Sequence, residues 1–541
     1  MLRWTQDSVR RVDVRRPARL PPLAGGTLPN PSSSDTHQAH DEAPGTAQEP
    51  LRVRLHIQVK WAPIMGIVAD MAENADVLRK RLGDLARELV RVEFDGEGGV
   101  YAFQLRILHL LIDVQTAIRE RKAKRPSKDR AESLTDLRFL KEQTYEIGNA
   151  FAWLMLGLDR RAIGALRRNR KAPPPERDRS LEGVKAITGY LASQGHGFPM
   201  LHDITTCLRI GDVTFVDVSQ SPTYLWTCEI KTTRLPSKPG DLEGTVDLEI
   251  QVHSVTPPPP NALVDQRSEL RETDNAGAVS EVDFARQRKP DRRLGRQLAR
   301  MRTANTHMSA PTGEVTEIDG ERHFIHMQRQ ENRSNIHTAK ALSSDALERG
   351  WTAAELEPGV AFAALSIDDG AEVGGPWMTE PMDRVKEILL ADGFEGPDGV
   401  SLTFFPSREA TGHIDAIPYH LVGLSEEVVV ALSTGKMLLL LAVRVSAVYA
   451  KLEEAGLSVL HNGTFDLWGD NAAASRTIAT PKGDATVEFH FGSMAAESLR
   501  EFHTLDDIAS RISEALDAVE AGGIVDEYLA ALERAGEEFE D

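Results

Sequence analysis

Two acidic residues and a lysine lie close together in the central part of the chain, in the stretch "GDVTFVDVSQSPTYLWTCEIK" at 211–231. Asp212 precedes one apolar run, and Glu229 and Lys231 are one residue apart in the next run. Because successive side chains of a strand point to opposite faces, Glu229 and Lys231 are predicted to share a face. If the two runs form a hairpin, we expect Asp212 and Glu229 to lie within a few ångström of each other.

This combination of residue types points to a cation site. Two carboxylates held side by side repel each other, and a bound cation relieves that repulsion. Oxygen ligands suit a hard ion such as Mg²⁺, or Mn²⁺ in its place. The ion would acidify a bound water, while the ammonium of Lys231 can orient the water or stabilise transition-state charge. The three residues therefore indicate hydrolysis of a phosphodiester bond.

The elements around these residues follow from periodicity and turn signals. The segment "SLEGVKAITGYLASQG" (180–195) predicts a helix that begins after Ser180 and ends at Gly195. Three β-rich runs follow: "MLHDITTCLRI", "DVTFVDVS" and "YLWTCEIKTT". The Pro- and acid-rich segment 235–280 is interpreted as an insertion with one hairpin strand, "TVDLEIQVHSV". Next, "SEVDFARQRKPDRRLGRQLARMRTAN" predicts a basic helix interrupted at Pro290, and "ERHFIHMQ" predicts another strand.

An acidic residue before one strand and Glu-x-Lys on the next resembles the PD-(D/E)XK superfamily of nucleases. The resemblance covers about residues 180–330 and implies a restriction-endonuclease-like core of helix, three strands, helix and strand. It implies that Asp212 and Glu229 bind Mg²⁺ or Mn²⁺ and that Lys231 is catalytic. Glu182 matches the auxiliary acid that many members carry on the first helix, and Gln297 matches a glutamine that some carry after Glu-x-Lys. The long insertion and the lack of a proline before Asp212 depart from the family pattern.

Basic residues are concentrated after the predicted site. Between residues 286 and 302, eight Lys or Arg residues accompany a single Asp, and a second basic segment spans 160–171. Such segments beside a metal site are predicted to bind the phosphates of nucleic acid. The family resemblance implies that this nucleic acid is DNA in preference to RNA. The residues assigned to this contact are Arg286, Arg288, Lys289, Arg292, Arg293, Arg296, Gln297 and Arg300.

Length and composition predict a soluble multidomain protein, and the succession of helical and β-rich segments predicts an α/β fold. The chain has 541 residues, with 41% hydrophobic and 27% charged residues and a net charge of −19. A disordered segment (1–50) precedes an α-rich N-terminal domain (51–165), the nuclease-like domain (166–334) and an α+β C-terminal domain (335–541). Residues 501–541 hold 13 acidic and 2 basic residues, so much of the negative charge is predicted to lie in an acidic helical tail far from the site.

Other features set the compartment and exclude some chemistry. Cys207 and Cys228 are the only cysteines, which excludes a disulfide scaffold and favours buried thiols in a reducing, cytoplasmic setting. The longest apolar run, 436–450, is too short to span a membrane and contains Arg444. The usage of Ala, Arg and Gly is typical of a GC-rich bacterial genome, which is compatible with a role in defence.

Several alternatives remain open from the residues alone. Asp217 competes with Asp212 as a metal ligand, although a regular strand would point it to the opposite face. Glu229 and Lys231 also fit a solvated ion pair on an edge hairpin. His196, His202 and Asp203 precede the site and could add a ligand, although a structural role is the commoner one for such a histidine. The whole chain also fits a non-catalytic protein that binds nucleic acid or a protein partner, or a scaffold whose acidic C-terminal region is the working part.

Overall fold

The computed structural model describes the following residues: 51–60, 75–92, 99–167, 184–185, 187–189, 191–192, 197–208, 210–217, 224–234, 245–254, 279–286, 292–309, 315–318, 321–324, 335–367, 378–390, 399–406, 416–460, 473–480 and 483–521. The predicted disorder at 1–50 and the tail beyond 521 lie outside these ranges. Glu182, Arg288 and Lys289 also lie outside them.

Four helices form the N-terminal region: α1 (Ala75–Arg91), α2 (Gly99–Ala123), α3 (Lys128–Met155) and α4 (Arg160–Leu166). Helix α1 buries Leu78, Leu82, Leu85 and Leu89, whose spacing of three or four residues places them on one face of the helix. Helix α3 begins at Lys128, directly after Ser127. Ser127 caps it by accepting a 3.1 Å hydrogen bond from the backbone N–H of Arg130.

The central sheet has six strands: β1 (Leu51–Lys60), β2 (Gly197–Leu201), β3 (Val213–Asp217), β4 (Tyr224–Arg234), β5 (Thr245–Ser254) and β6 (Val279–Arg286). Their order is β2-β3-β4-β5-β1-β6, and every neighbouring pair is antiparallel. The hairpin predicted between β3 and β4 is confirmed, and the run "MLHDITTCLRI" is a strand only as far as Leu201.

Two sequence predictions about this sheet are wrong. The strand predicted in "TVDLEIQVHSV" is present as β5, but it lies in the interior of the sheet between β4 and β1, so its interpretation as part of an insertion is wrong. The first half of the predicted basic helix is β6, so a helix interrupted at Pro290 does not form. Val282 and Phe284 alternate with polar residues, which fits the two-residue period of a strand, and the surrounding charges obscured that period. Strand β1 also crosses the predicted domain boundary, because it pairs with both β5 and β6.

Helix α5 (Arg292–Ser309) follows β6, and its residues Leu298, Met301 and Ala304 are buried. Strands β7 (Val315–Ile318) and β8 (Glu321–Phe324) come next and pair with each other. The strand that was expected to follow the helix and complete the core therefore belongs to a separate two-stranded sheet. Residues 184, 185, 187–189, 191 and 192, before β2, are helical, as predicted.

The C-terminal region is a mixture of helices and antiparallel strands, as predicted. The helices are α6 (Asn335–Arg349), α7 (Thr379–Leu390), α8 (Glu426–Thr434), α9 (Val445–Glu454), α10 (Gly492–Arg500) and α11 (Leu505–Ala521). One sheet, in the order β11-β12-β10-β9, contains β9 (Trp351–Glu357), β10 (Val360–Ser366), β11 (Val400–Phe405) and β12 (Met437–Arg444). The other contains β13 (Ser458–Leu460), β14 (Ala473–Thr480) and β15 (Gly483–His490).

One hydrophobic cluster runs through all three regions, from α1 to α11. Polar contacts reinforce it where α2 meets β2. The side-chain amide of Gln104 donates to the carbonyl of Pro199 at 2.7 Å and accepts from the N–H of Leu201 at 2.8 Å. The mixed α/β class is confirmed. Within the described part of the chain, no helix combines the length and the apolar character that a membrane span requires.

Candidate active site

Asp212 lies one residue before β3, directly beyond the end of the ladder that joins β3 to β4. In that ladder Val213 pairs with Cys228, so the next step of the register places Asp212 opposite Glu229. The backbone N–H of Asp212 donates to the carbonyl of Cys228 at 2.9 Å. Its carboxylate Oδ2 accepts the backbone N–H of Ile230 at 2.6 Å. These two bonds fix the carboxylate against β4.

Glu229 is the centre of the polar contacts on β4. Its side chain is buried, with only 2% of the residue exposed. The Oε1 atom accepts a charged hydrogen bond from Nζ of Lys231, which lies two residues further along the same face. The same oxygen accepts the side-chain amide N–H of Gln297 on α5 at 2.6 Å. A buried carboxylate is thus held by one cation and one amide.

The charges in this cluster shift the protonation of their neighbours. Burial and the negative charge of Glu229 raise the pKa of Asp212 well above its ordinary value, against the lowering effects of the Ile230 N–H and of Lys231. Burial, reinforced by the charges of both carboxylates, also raises the pKa of the Cys228 thiol. Cys228 therefore stays protonated and does not serve as a nucleophile or a thiolate ligand.

The opposite face of the two strands is apolar. Phe215 and Trp226 are buried with their ring centroids 5.3 Å apart, and Cys228 and Ile230 are buried beside them. Both strands lie in the interior of the sheet. The alternative of a solvated ion pair on an edge hairpin is therefore wrong, because Glu229 is buried on an interior strand.

Asp217 is not part of this cluster. It pairs with Tyr224 at the far end of the β3–β4 ladder. Five residues of extended chain separate it from Asp212, which corresponds to about 16 Å. Asp217 is therefore too far along the strand to bind an ion together with Glu229. The sequence had already indicated that its side chain points to the opposite face of the strand.

The residues predicted to contact nucleic acid do not share one helix. Arg286 is the last residue of β6, whereas Arg292 and Arg293 begin α5. Arg296 on α5 is exposed, and Arg300 one turn later is partly exposed. Gln297, which was assigned to the same surface, instead points to Glu229. The basic helix that was predicted to be interrupted at Pro290 is therefore corrected to a strand, β6, followed by one basic helix, α5.

The donor set can be tested against the metals that proteins bind. Among the described residues, no group of three or more His, Cys, Asp or Glu side chains is placed to hold one ion. A structural zinc site needs about four such ligands. Asp212 and Glu229 lie opposite each other, and the charge of Glu229 raises the pKa of Asp212. Two carboxylates that repel each other in this way fit a magnesium ion, which keeps several waters and takes few protein ligands. Asp212 and Glu229 are the residues that would hold it.

His202 and Asp203 lie beside the site and have interactions that the sequence did not predict. His202 is buried, and its ring nitrogens contact the Gly211 carbonyl and the Thr214 hydroxyl. The negative charge of Asp203 contributes to the raised pKa of Asp212. The spacing of residues along the sequence could not predict the contacts of His202, because its partners lie in β3 and in the turn before it. On β5, His253 occupies the register position opposite Glu229.

Comparisons with models of protein families, with curated proteins and with solved structures give no match to this chain. Function is therefore inferred from the geometry of the cluster formed by Asp212, Glu229, Lys231 and Gln297.

Proposed function

We propose that the protein is a metal-dependent nuclease of the PD-(D/E)XK type, which hydrolyses phosphodiester bonds in DNA. The observation that carries the proposal is the placement of Asp212 opposite Glu229, with Lys231 and Gln297 both bonded to one Glu229 oxygen. These residues come from three segments separated along the chain. Chance spacing in the sequence does not account for their meeting in one place.

A restriction-endonuclease-like core is part of the proposal. Its support is the antiparallel series β2, β3 and β4, with helical residues before it and α5 after it. The departures are β5, which lies next to β4, and the separate β7–β8 hairpin. The core is thus proposed to be an elaborated version in which β5, β1 and β6 extend the sheet beyond the Glu-x-Lys strand.

Each residue has a distinct role in the proposed reaction. Asp212 and Glu229 would hold a Mg²⁺ or Mn²⁺ ion, which supplies an acidified water and Lewis acidity at the scissile phosphate. Lys231, whose side chain is 37% exposed, reaches solvent while its ammonium stays bonded to Glu229. From there it can donate to the attacking water or to a phosphoryl oxygen. Gln297 holds the orientation of the Glu229 carboxylate.

Hydrolysis requires one bond to form and one to break. The water oxygen bonds to phosphorus, the bond from phosphorus to one ester oxygen breaks, and the proton lost by the water balances the one gained by the leaving oxygen. Lys231 stabilises the negative charge that accumulates on the phosphoryl oxygens during this exchange. Exposed Arg296 on α5, the helix that contacts the site through Gln297, offers a charge for neighbouring phosphates.

The alternative is a non-catalytic protein that binds nucleic acid or a protein partner through a degenerate nuclease-like fold. A degenerate site would be expected to lack one of its acidic or basic groups. Here Asp212, Glu229 and Lys231 are all present and mutually placed. This completeness favours the catalytic proposal.

The deciding experiment is cleavage of supercoiled and linear DNA by the purified full chain with Mg²⁺, Mn²⁺ or EDTA, next to an RNA substrate. We expect metal-dependent cleavage that Lys231→Ala abolishes and Lys340→Ala retains, because Lys340 is an exposed lysine on α6. Nicking of circular DNA would indicate an endonuclease, and loss from linear ends alone would indicate an exonuclease. If no metal supports cleavage and Lys231→Ala leaves DNA and Mn²⁺ binding unchanged, the binding alternative replaces the proposal.

A further inference from the structure

His202 contacts the turn that carries Asp212 and is bonded through both ring nitrogens. Only 3% of the residue is exposed. Nδ1 lies 3.1 Å from the carbonyl oxygen of Gly211, and Nε2 lies 2.9 Å from the hydroxyl of Thr214. The Thr214 hydroxyl is in turn 3.0 Å from that of Thr227 on β4. The imidazole therefore connects the turn before β3 to two interior strands.

The partners of His202 determine which ring nitrogen carries the proton. The Gly211 carbonyl can only accept a hydrogen bond, so Nδ1 must donate to it. In a neutral imidazole Nε2 then accepts, and the Thr214 hydroxyl donates to it. The Thr227 hydroxyl completes the chain by donating to Thr214. Every polar hydrogen in this chain has a defined acceptor, which is the condition for a rigid buried network.

The backbone of His202 contacts the same turn from another direction. Its N–H donates to the carbonyl of Asp212 at 3.1 Å. Gly211 has a φ of +78°, and a Cβ atom at this position would lie 2.7 Å from the carbonyl oxygen of Cys228. The turn thus has an uncommon conformation, and His202 holds the carbonyls of both of its residues, Gly211 and Asp212.

We propose that His202 is a positioning residue for the metal-binding carboxylate of Asp212, an inference that rests on the proposed function. Its ring fixes the Gly211 carbonyl and its backbone fixes the Asp212 carbonyl, so that the Asp212 side chain projects towards Glu229. Removing a residue that hydrogen-bonds to a metal ligand and orients it typically weakens metal affinity by about 10- to 100-fold. His202 contributes to this affinity without touching the ion or the substrate.

The test is Mn²⁺ affinity, measured on the full chain by electron paramagnetic resonance, with thermal melting as a check on folding. The variants are His202→Ala, His202→Asn and Thr214→Val. Asn retains an N–H that can donate to the Gly211 carbonyl, and Val removes only the hydroxyl that His202 contacts. The matched control is His420→Ala, a buried histidine that contacts the Ser433 hydroxyl at 3.2 Å in the C-terminal region.

We expect His202→Ala to weaken Mn²⁺ binding by about 10- to 100-fold, with His202→Asn restoring most of the affinity and Thr214→Val giving an intermediate loss. His420→Ala should lower the melting temperature and leave Mn²⁺ affinity unchanged. Unchanged affinity in a folded His202→Ala protein overturns the positioning role. If that variant does not fold, unchanged affinity in Thr214→Val overturns it instead.

The failure of the proposed function gives a different result. In that case the unmodified chain and an Asp212→Asn variant would bind Mn²⁺ equally weakly, whatever residue stands at 202. Saturable Mn²⁺ binding that Asp212→Asn weakens and His202→Ala does not would contradict the positioning role alone.

Discussion

Gln297 on α5 donates its side-chain amide N–H to the same oxygen of Glu229 that accepts the ammonium of Lys231, at a distance of 2.6 Å. Sixty-eight residues of chain separate Gln297 from Glu229. The amide oxygen of Gln297 is buried and has no hydrogen-bond partner within the described residues. A buried amide with an unsatisfied oxygen is unfavourable for stability, so its position indicates a role in orienting Glu229.

Replacing Gln297 with methionine tests this role. Methionine keeps much of the side-chain volume and removes the donor. Among the described residues, Lys231 is then the one side chain still bonded to Glu229. We expect metal-dependent cleavage to fall by about 10- to 100-fold, measured as initial rates on plasmid DNA across a Mg²⁺ titration. Thr306→Ala on the same helix is the control, because Thr306 is exposed and its hydroxyl donates to the Arg302 carbonyl of its own helix. Equal rates for the two variants would contradict an orienting role.

Gly211 should not tolerate a side chain. An added Cβ would meet the Cys228 carbonyl and the methyl group of Thr227 at 2.7 Å, in addition to the strain of a positive φ. We expect Gly211→Ala to displace Asp212 and to reduce both Mn²⁺ affinity and the free energy of unfolding.

The matched control for this glycine is Gly157→Ala. Gly157 also has a positive φ, of +64°, but no atom lies within 4 Å of its added Cβ. We expect Gly157→Ala to lower the free energy of unfolding in urea by about 1 kcal/mol through conformational strain alone, and to leave Mn²⁺ affinity unchanged. Equal stability losses for the two variants would show that close approach at Gly211 is unimportant.

Glu146 on α3 makes stability depend on pH near neutrality. Burial raises its pKa to about 7, against the lowering effects of Arg500 and of the Asn149 side chain. Between pH 4.5 and about 7 the folded state therefore holds a proton that the unfolded state has lost, so stability falls as pH rises through this window. Each unit of such a shift corresponds to about 1.4 kcal/mol.

Glu146→Gln removes this titration. We expect the variant to be more stable than the unmodified chain at pH 8, by roughly 2–3 kcal/mol, and the difference to shrink at pH 4.5. Urea-unfolding midpoints at the two pH values measure it. Glu132→Gln, the same substitution at an exposed position of the same helix, provides the control, and its difference from the unmodified chain should be small at both pH values. A constant difference between Glu146→Gln and the unmodified chain at both pH values would rule out the buried titration.

Arg160 and Glu501 join the N-terminal helices to the C-terminal region through a buried ion pair. Burial by itself raises the pKa of Glu501, but Arg160, His503 and the Ile417 N–H outweigh it and lower the pKa to about 2. Because the folded pKa is depressed, the pair stabilises the fold above the unfolded value of 4.5, and this contribution is lost as pH falls towards 2.

Arg160→Ala should leave Glu501 as a buried carboxylate without its arginine. We expect a loss of about 3–5 kcal/mol in the free energy of unfolding at pH 7, with a smaller difference at pH 3. Arg384→Ala, which breaks the exposed pair with Glu387, should change stability by less than about 1 kcal/mol. Similar effects of the two substitutions, measured by urea unfolding, would mean that burial does not strengthen the pair at Glu501.

The sequence by itself determined the local elements that carry the candidate site. Alternation in β3 and β4 placed Glu229 and Lys231 on one face, and the apolar residues Trp226 and Ile230 required the other face to be buried. The α-rich character of the segment that contains α1 and α2 was predicted in the same way. These features depend on the repeat of the backbone and on which side chains avoid water, and both are encoded within a few consecutive residues.

Only the tertiary structure decided which distant segments meet. Strand β1 pairs with β5 about 190 residues further along the chain, and its own alternating pattern does not identify that partner. The contact of Gln297 with Glu229 and the ring contacts of His202 likewise depend on how α5 and the turn before β3 pack against the sheet. Packing is cooperative over the whole core, so the free energy that selects these pairings is distributed over many residues and is absent from any local pattern.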